Sequence, residues 1–76
     1  MSTKRRSVYD RPAAFIAEAV RVSAIPRELL KTWGEHLGLS RTSIDSAILD
    51  LYAIEKVKLE IESGPTGEVV VWVTKA

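Results

Sequence analysis

Cysteine, asparagine and glutamine are absent from this 76-residue chain, histidine occurs once, at His36, and the single methionine is Met1. Without cysteine, neither a disulfide nor a thiolate metal site can support so small a fold. One histidine and carboxylates spread without a motif leave no catalytic constellation, so the chain is not expected to be an enzyme. Nothing in it points to a metal, a cofactor or a small-molecule effector. The glycine pair of Gly64-Pro65-Thr66-Gly67 stands between two strand-like runs, whereas a phosphate-binding loop joins a strand to a helix. The longest apolar stretches are short and interrupted by charge, so neither a membrane span nor a secretory signal is expected, and the location implied is cytoplasmic.

What is present suits one small α+β domain. Pro12 to Val22 reads as a first helix, with Pro12 near its start, where a missing N–H costs nothing. Ser23 to Ile25 can supply a short strand, Pro26 opens a second helix running to about Leu37, and a third spans about Ser40 to Ile54. Residues 57–62, VKLEIE, alternate apolar and charged side chains, SGPTG is a turn sequence, and EVVVWVT is a β-branched run closed by Lys75. Three helices, a short third strand and a C-terminal hairpin are therefore expected. In a chain of this length, helices laid on a hairpin provide nearly all the available core.

The stretch from Leu30 to Leu49 is the most specific. Trp33 and Leu37 lie one helical turn apart on a shared face, and Gly34 leaves room for a second helix to approach. Gly38 can take the left-handed conformation that ends a helix, and Ser40 is a natural N-cap for the next. Ile44, Ala47, Ile48 and Leu51 then recur at i, i+3, i+4 and i+7, the spacing of a core-facing stripe. Arg41, Thr42, Asp45, Ser46 and Leu49 point mostly away from it.

This stretch resembles the helix-turn-helix of transcription regulators, through Trp33, Gly34, Leu37, Gly38, Leu39, Ile44 and Ala47. Together with the terminal hairpin, residues 12–74 are similar in layout to the winged helix-turn-helix family, in which the hairpin loop is the wing. The resemblance implies sequence-specific binding of double-stranded DNA and transcription regulation, with the helix at about 40–54 in the major groove. It makes Ser40, Arg41, Thr42, Asp45 and Ser46 candidate DNA contacts, with Lys31 beside them and Thr66 on the wing. Small winged-helix regulators of archaeal plasmids and viruses are similar in size and layout. Avoidance of thermolabile Asn, Gln and Cys agrees with such a thermophilic, archaeal source.

Charge is distributed unevenly. The first eleven residues carry Lys4, Arg5, Arg6 and Arg11 against Asp10, a net +3, while the other seven basic and nine acidic residues net −2. Residues 1–11 are therefore expected to be a flexible basic arm that helps residues 12–76 hold DNA phosphates, with Lys4, Arg5 and Arg6 as its contacts, the alternative being a disordered end that only aids solubility. Without Asn or Gln, the bidentate contact to adenine is unavailable, so base reading rests on Arg41, hydroxyls and methyl groups. Arg41 can reach guanine or clamp a phosphate, or it can pair with Asp45 one turn later. Asp45 repels phosphate, yet it can accept from cytosine or orient Arg41. Glu62 and Glu68 flank a wing that has no Arg or Lys, leaving Lys58 and Lys75 to compensate from the strands.

Phe15, Trp33 and Tyr52 are expected in the core, since aromatic residues at helical spacing among apolar neighbours usually pack. The first helix, with Ala13, Ala14, Phe15, Ile16, Ala17, Ala19, Val20 and Val22, is apolar nearly all round, and Trp72 lies on the second apolar face of its strand. That excess implies a homodimer through the first helix, with Trp72 near the contact. The competing reading is a winged helix used only for protein docking, which the acidic balance of the folded part supports. It expects Leu49 and Trp72 in an exposed apolar patch.

Overall fold

Apolar residues recur at helical spacing at positions 16 and 20, at 30, and at 44, 47, 48 and 51, and each set meets the others on one side of a small sheet. The computed structural model describes the backbone of residues 2–76 and the side chains of residues 11–76. The elements follow in the order α1 (Ser2–Val22), β1 (Ile25–Pro26), α2 (Arg27–His36), α3 (Arg41–Ala53), β2 (Val57–Ser63) and β3 (Val69–Lys75). β3 is central, with β1 and β2 antiparallel on either side. Three helices and a three-stranded antiparallel sheet make an α+β fold whose order is compatible with a winged-helix layout.

Ile16, Leu30, Ile44, Ile48 and Val73 are the largest fully buried side chains, joined by Val20, Ile25, Ala47, Leu51 and Val57. The centre is aliphatic. Val73 links the layers, because it pairs with Ile25 of β1 on one side and Leu59 of β2 on the other. The three side chains project from the same face of the sheet toward the helices. No helix among the described residues is long and apolar enough to cross a membrane.

Several boundaries differ from expectation. α1 begins at Ser2, so the helix continues back through residues expected to form an arm, and Pro12 sits inside it rather than at its first turn. Lysine and arginine are good helix formers, so a basic run does not by itself oppose a helix. The side chains of Lys4, Arg5 and Arg6 lie outside the described residues. The short strand is Ile25–Pro26 rather than Ser23 to Ile25. Pro26, at φ −60° and ψ 138°, serves both as its last residue and as the N-cap position of α2. Extended backbone is the conformation that both neighbours require of it.

Two of the three aromatic residues expected in the core also differ, while Phe15 packs against it. Trp33 and Tyr52, expected in the core, are about half exposed, and Phe15 is half-buried. α2 buries the line through Leu30 and Gly34, which turns the Leu29–Trp33–Leu37 line onto its flank. There Trp33 meets Phe15 edge-on, the ring centroids 6.3 Å apart and the planes at 78°. Tyr52 follows the buried Leu51 and faces outward.

Candidate functional site

The junction between α2 and α3 begins with two glycines. Gly34 is buried and packs against Ile44, and Gly38 has φ +86°, the left-handed region that reverses the chain after α2. The reversal is closed by the amides of Leu39 and Gly38, which donate to Gly34 O at 2.8 Å and Glu35 O at 3.0 Å. These bonds satisfy carbonyls that α2 would otherwise leave unpaired at its end. Ser40 then caps α3: its Oγ accepts from Ser43 N at 3.0 Å and donates to Ser43 Oγ at 2.8 Å.

This geometry lays α3 across α2 with one face buried and the other in solvent. Lys31, Arg41, Thr42, Asp45, Ser46 and Leu49 line a shallow depression of about 220 Å³ on the outer side. Ser40 stands at the head of the same helix. The junction thus brings together six of the residues expected to contact DNA. Thr66 is separate, at the hairpin loop, where its hydroxyl donates to the Glu68 carboxylate. That bond is the main reason the Glu68 carboxyl is held below its usual value.

The electrostatics of the depression differ from what residue types alone suggest. Arg41 does not pair with Asp45. Its guanidinium instead reaches back to α2, contacting Glu28 at 2.5 Å and Glu35 at 3.4 Å. Asp45 is faced by two cations of α2, Arg27 at 3.6 Å and Lys31 at 3.9 Å. Lys31 also meets Glu28 at 3.0 Å, and its side chain is only 12% exposed. Three cations and three carboxylates therefore share one patch, which is nearly neutral.

The titration behaviour follows from this network. The Lys31 hydrogen bond is the largest influence on Glu28 and lowers its pKa; partial desolvation opposes it, and Arg41 adds to the lowering. For Arg41, desolvation pulls the pKa down, but hydrogen bonds and charge from Glu28 and Glu35 outweigh it and raise the pKa above its usual value. Arg27 Nε and Asp45 Oδ1 are buried without a hydrogen-bond partner, and face each other at ion-pair rather than hydrogen-bond distance. Both atoms retain hydrogen-bonding capacity.

Glu28 and Glu35 were not among the residues singled out from sequence. Glu28, Lys31 and Glu35 do recur at i, i+3 and i+7, a readable stripe along one helix face. Their opposition to Arg41 and Asp45 depends on how α3 crosses α2. The hairpin adds little positive charge at its loop, since Thr66 and Glu68 engage each other and Glu62 accepts from the Trp72 indole at 2.9 Å. Lys58 is exposed, opposite Thr74 in the ladder, and Lys75 lies opposite Val57. The chain matches no protein-family profile, and neither a curated protein nor a solved structure is significantly similar to it.

Proposed function

We propose that this chain is a winged helix-turn-helix protein that binds double-stranded DNA sequence-specifically, with α3 in the major groove, and regulates transcription. The observation that carries the reading is the outer face of α3: a capped N-terminus, the exposed Thr42 and Ser46, and the half-buried Arg41 and Asp45 line one surface, braced by α2. The N-terminal N–H groups of α3 suit a phosphate, and the first-turn side chains suit base edges. Arg41 takes the guanine or phosphate contact, Ser40 and Thr42 hydrogen-bond phosphate, and Asp45 accepts from cytosine or from cations of α2.

Because Arg27, Lys31 and Arg41 all face carboxylates, each phosphate contact at this face exchanges one anion for another. Affinity then depends on cations elsewhere: Lys4, Arg5 and Arg6, and Lys58 and Lys75 of the hairpin. Gel-shift titration against duplexes enriched from a random pool tests the proposal. Binding should weaken steeply with salt as counterions are released. Absence of a shift at low salt overturns it.

One set of observations favours the docking alternative, in which the same face binds protein and not DNA. The charge of the patch is balanced, and Leu49 within it is 55% exposed; Trp72, which that reading expected beside Leu49, lies instead half-buried on the sheet, next to Glu62. That reading predicts no DNA shift at any salt, and loss of partner capture on Leu49→Asp.

A further inference from the structure

An apolar ridge runs along α1 and α2 on the side away from the charged patch. Leu29, Trp33 and Leu37 recur at i, i+4 and i+8 on one flank of α2 and are 49%, 48% and 58% exposed. Glu28, Lys31 and Glu35 occupy the other flank. Phe15 of α1 extends the ridge through its edge-on contact with Trp33, and Val22 near the end of α1 is 88% exposed. Isolated exposed apolar residues are ordinary, but a ridge of this kind in so small a domain marks a contact surface.

We propose that the ridge is covered by a second copy of this chain, related by a two-fold axis passing between Ala14 and Phe15, so that the two α1 helices run antiparallel. A two-fold contact sets a surface against itself, so its charges must complement themselves. Those of α1 do. Arg11 and Glu18 are both exposed and lie on the same side of the helix as Phe15, spaced i, i+4 and i+7. In an antiparallel pair about this axis, Arg11 stands opposite Glu18 of the second copy, and Glu18 opposite the second copy's Arg11. A partner of uniform charge would leave one of them facing its own sign.

Glu18 already meets Arg21 at 2.9 Å within the helix. Trp72 is not used: its indole N–H is occupied by Glu62 on β2. The contact also leaves the outer face of α3 open, since the two surfaces lie on opposite flanks of α2. The dimer does not depend on what α3 binds.

Sedimentation equilibrium of the full chain over a wide concentration range tests the arrangement, applied to the wild type, Arg11→Glu, Glu18→Arg and the double reversal. All substituted side chains are exposed, and circular dichroism verifies that each variant is folded. The wild type should show a concentration-dependent dimer. Each single reversal should weaken it about tenfold, because both symmetry-related pairs become repulsive, and the double reversal should restore it to near wild type. A wild type that stays monomeric at every concentration overturns the proposal, as does a dimer indifferent to the single reversals or not rescued by the double one.

Discussion

A Cβ on Gly34 would lie 2.8 Å from both Cδ1 and Cγ1 of Ile44, a side chain with no solvent exposure. The closeness of α2 and α3, and hence the presentation of α3, rests on this hydrogen-only side chain. Gly34→Ala gains roughly 1 kcal/mol of helix propensity. It also forces a buried isoleucine to shift, and overpacking of this kind costs roughly 1 to 3 kcal/mol. A net loss of stability is expected in urea denaturation; a gain would show that Ile44 relaxes freely.

Ser40 closes the first turn of α3 through the Ser43 amide. Ser40→Ala should cost about 1 kcal/mol, as loss of a capping oxygen typically does. Thermal unfolding measures this without reference to any ligand. Ser40→Asp restores an acceptor and should recover most of the loss, while bringing a negative charge toward the proposed phosphate.

Arg41→Ala should weaken binding to a cognate duplex by roughly ten- to a hundredfold and relax discrimination at one base pair. Removal of residues 1–8 should weaken cognate and random duplexes alike. The ratio of the two affinities is the quantity to compare. Equal losses for Arg41→Ala on both duplexes would reassign the guanidinium to phosphate.

Glu28 competes with phosphate for the Arg41 guanidinium. Glu28→Gln should therefore tighten DNA binding several-fold at low salt and steepen its salt dependence, since one more cation becomes free to displace counterions. Competition titrations in two salts read both effects. Unchanged affinity would mean that Arg41 stays out of the phosphate contacts.

Glu28 also predicts an acid dependence of stability. Its carboxyl is held below the ordinary value of 4.5, first by the Lys31 hydrogen bond and also by Arg41. A carboxyl with a lowered pKa in the folded state stabilises fully above its unfolded value, and loses that contribution as pH falls through the folded one. Wild type should therefore exceed Glu28→Gln in stability at neutral pH, with the difference closing at the acid end. Because the Glu28 carboxylate itself is exposed, the difference should be small. Parallel denaturation curves at pH 7 and pH 3 would reveal it, and a gap unchanged between them would assign the effect to something other than charge.

Much of the fold was legible because it depends on neighbours in the chain. Gly38 and Ser40 act within one turn, through a left-handed φ and a capping oxygen, and the stripe Ile44–Ala47–Ile48–Leu51 expresses the helical period directly. The hairpin at SGPTG followed from turn chemistry between two β-like runs. The placement of aromatic residues was less legible for a definite reason. Spacing shows that Trp33 and Leu37 share a line, and equally that Leu30 and Gly34 share the adjacent one. Which line is buried was settled by α3, which can come close only where α2 has no side chain.

The Leu30 to Leu49 stretch by itself determined the turn, the cap and the two faces of α3, because each is a matter of bonds and periods within a few residues. Only the tertiary structure decided the electrostatic partners. Arg41 meets Glu28 and Glu35, and Asp45 meets Arg27 and Lys31, each pair joining two different helices. Coulomb interactions depend on distances through space, and these were set by the crossing of two helices rather than by sequence spacing. The same packing put Leu29, Trp33 and Leu37 in solvent on the far flank of α2, away from the face that α3 presents.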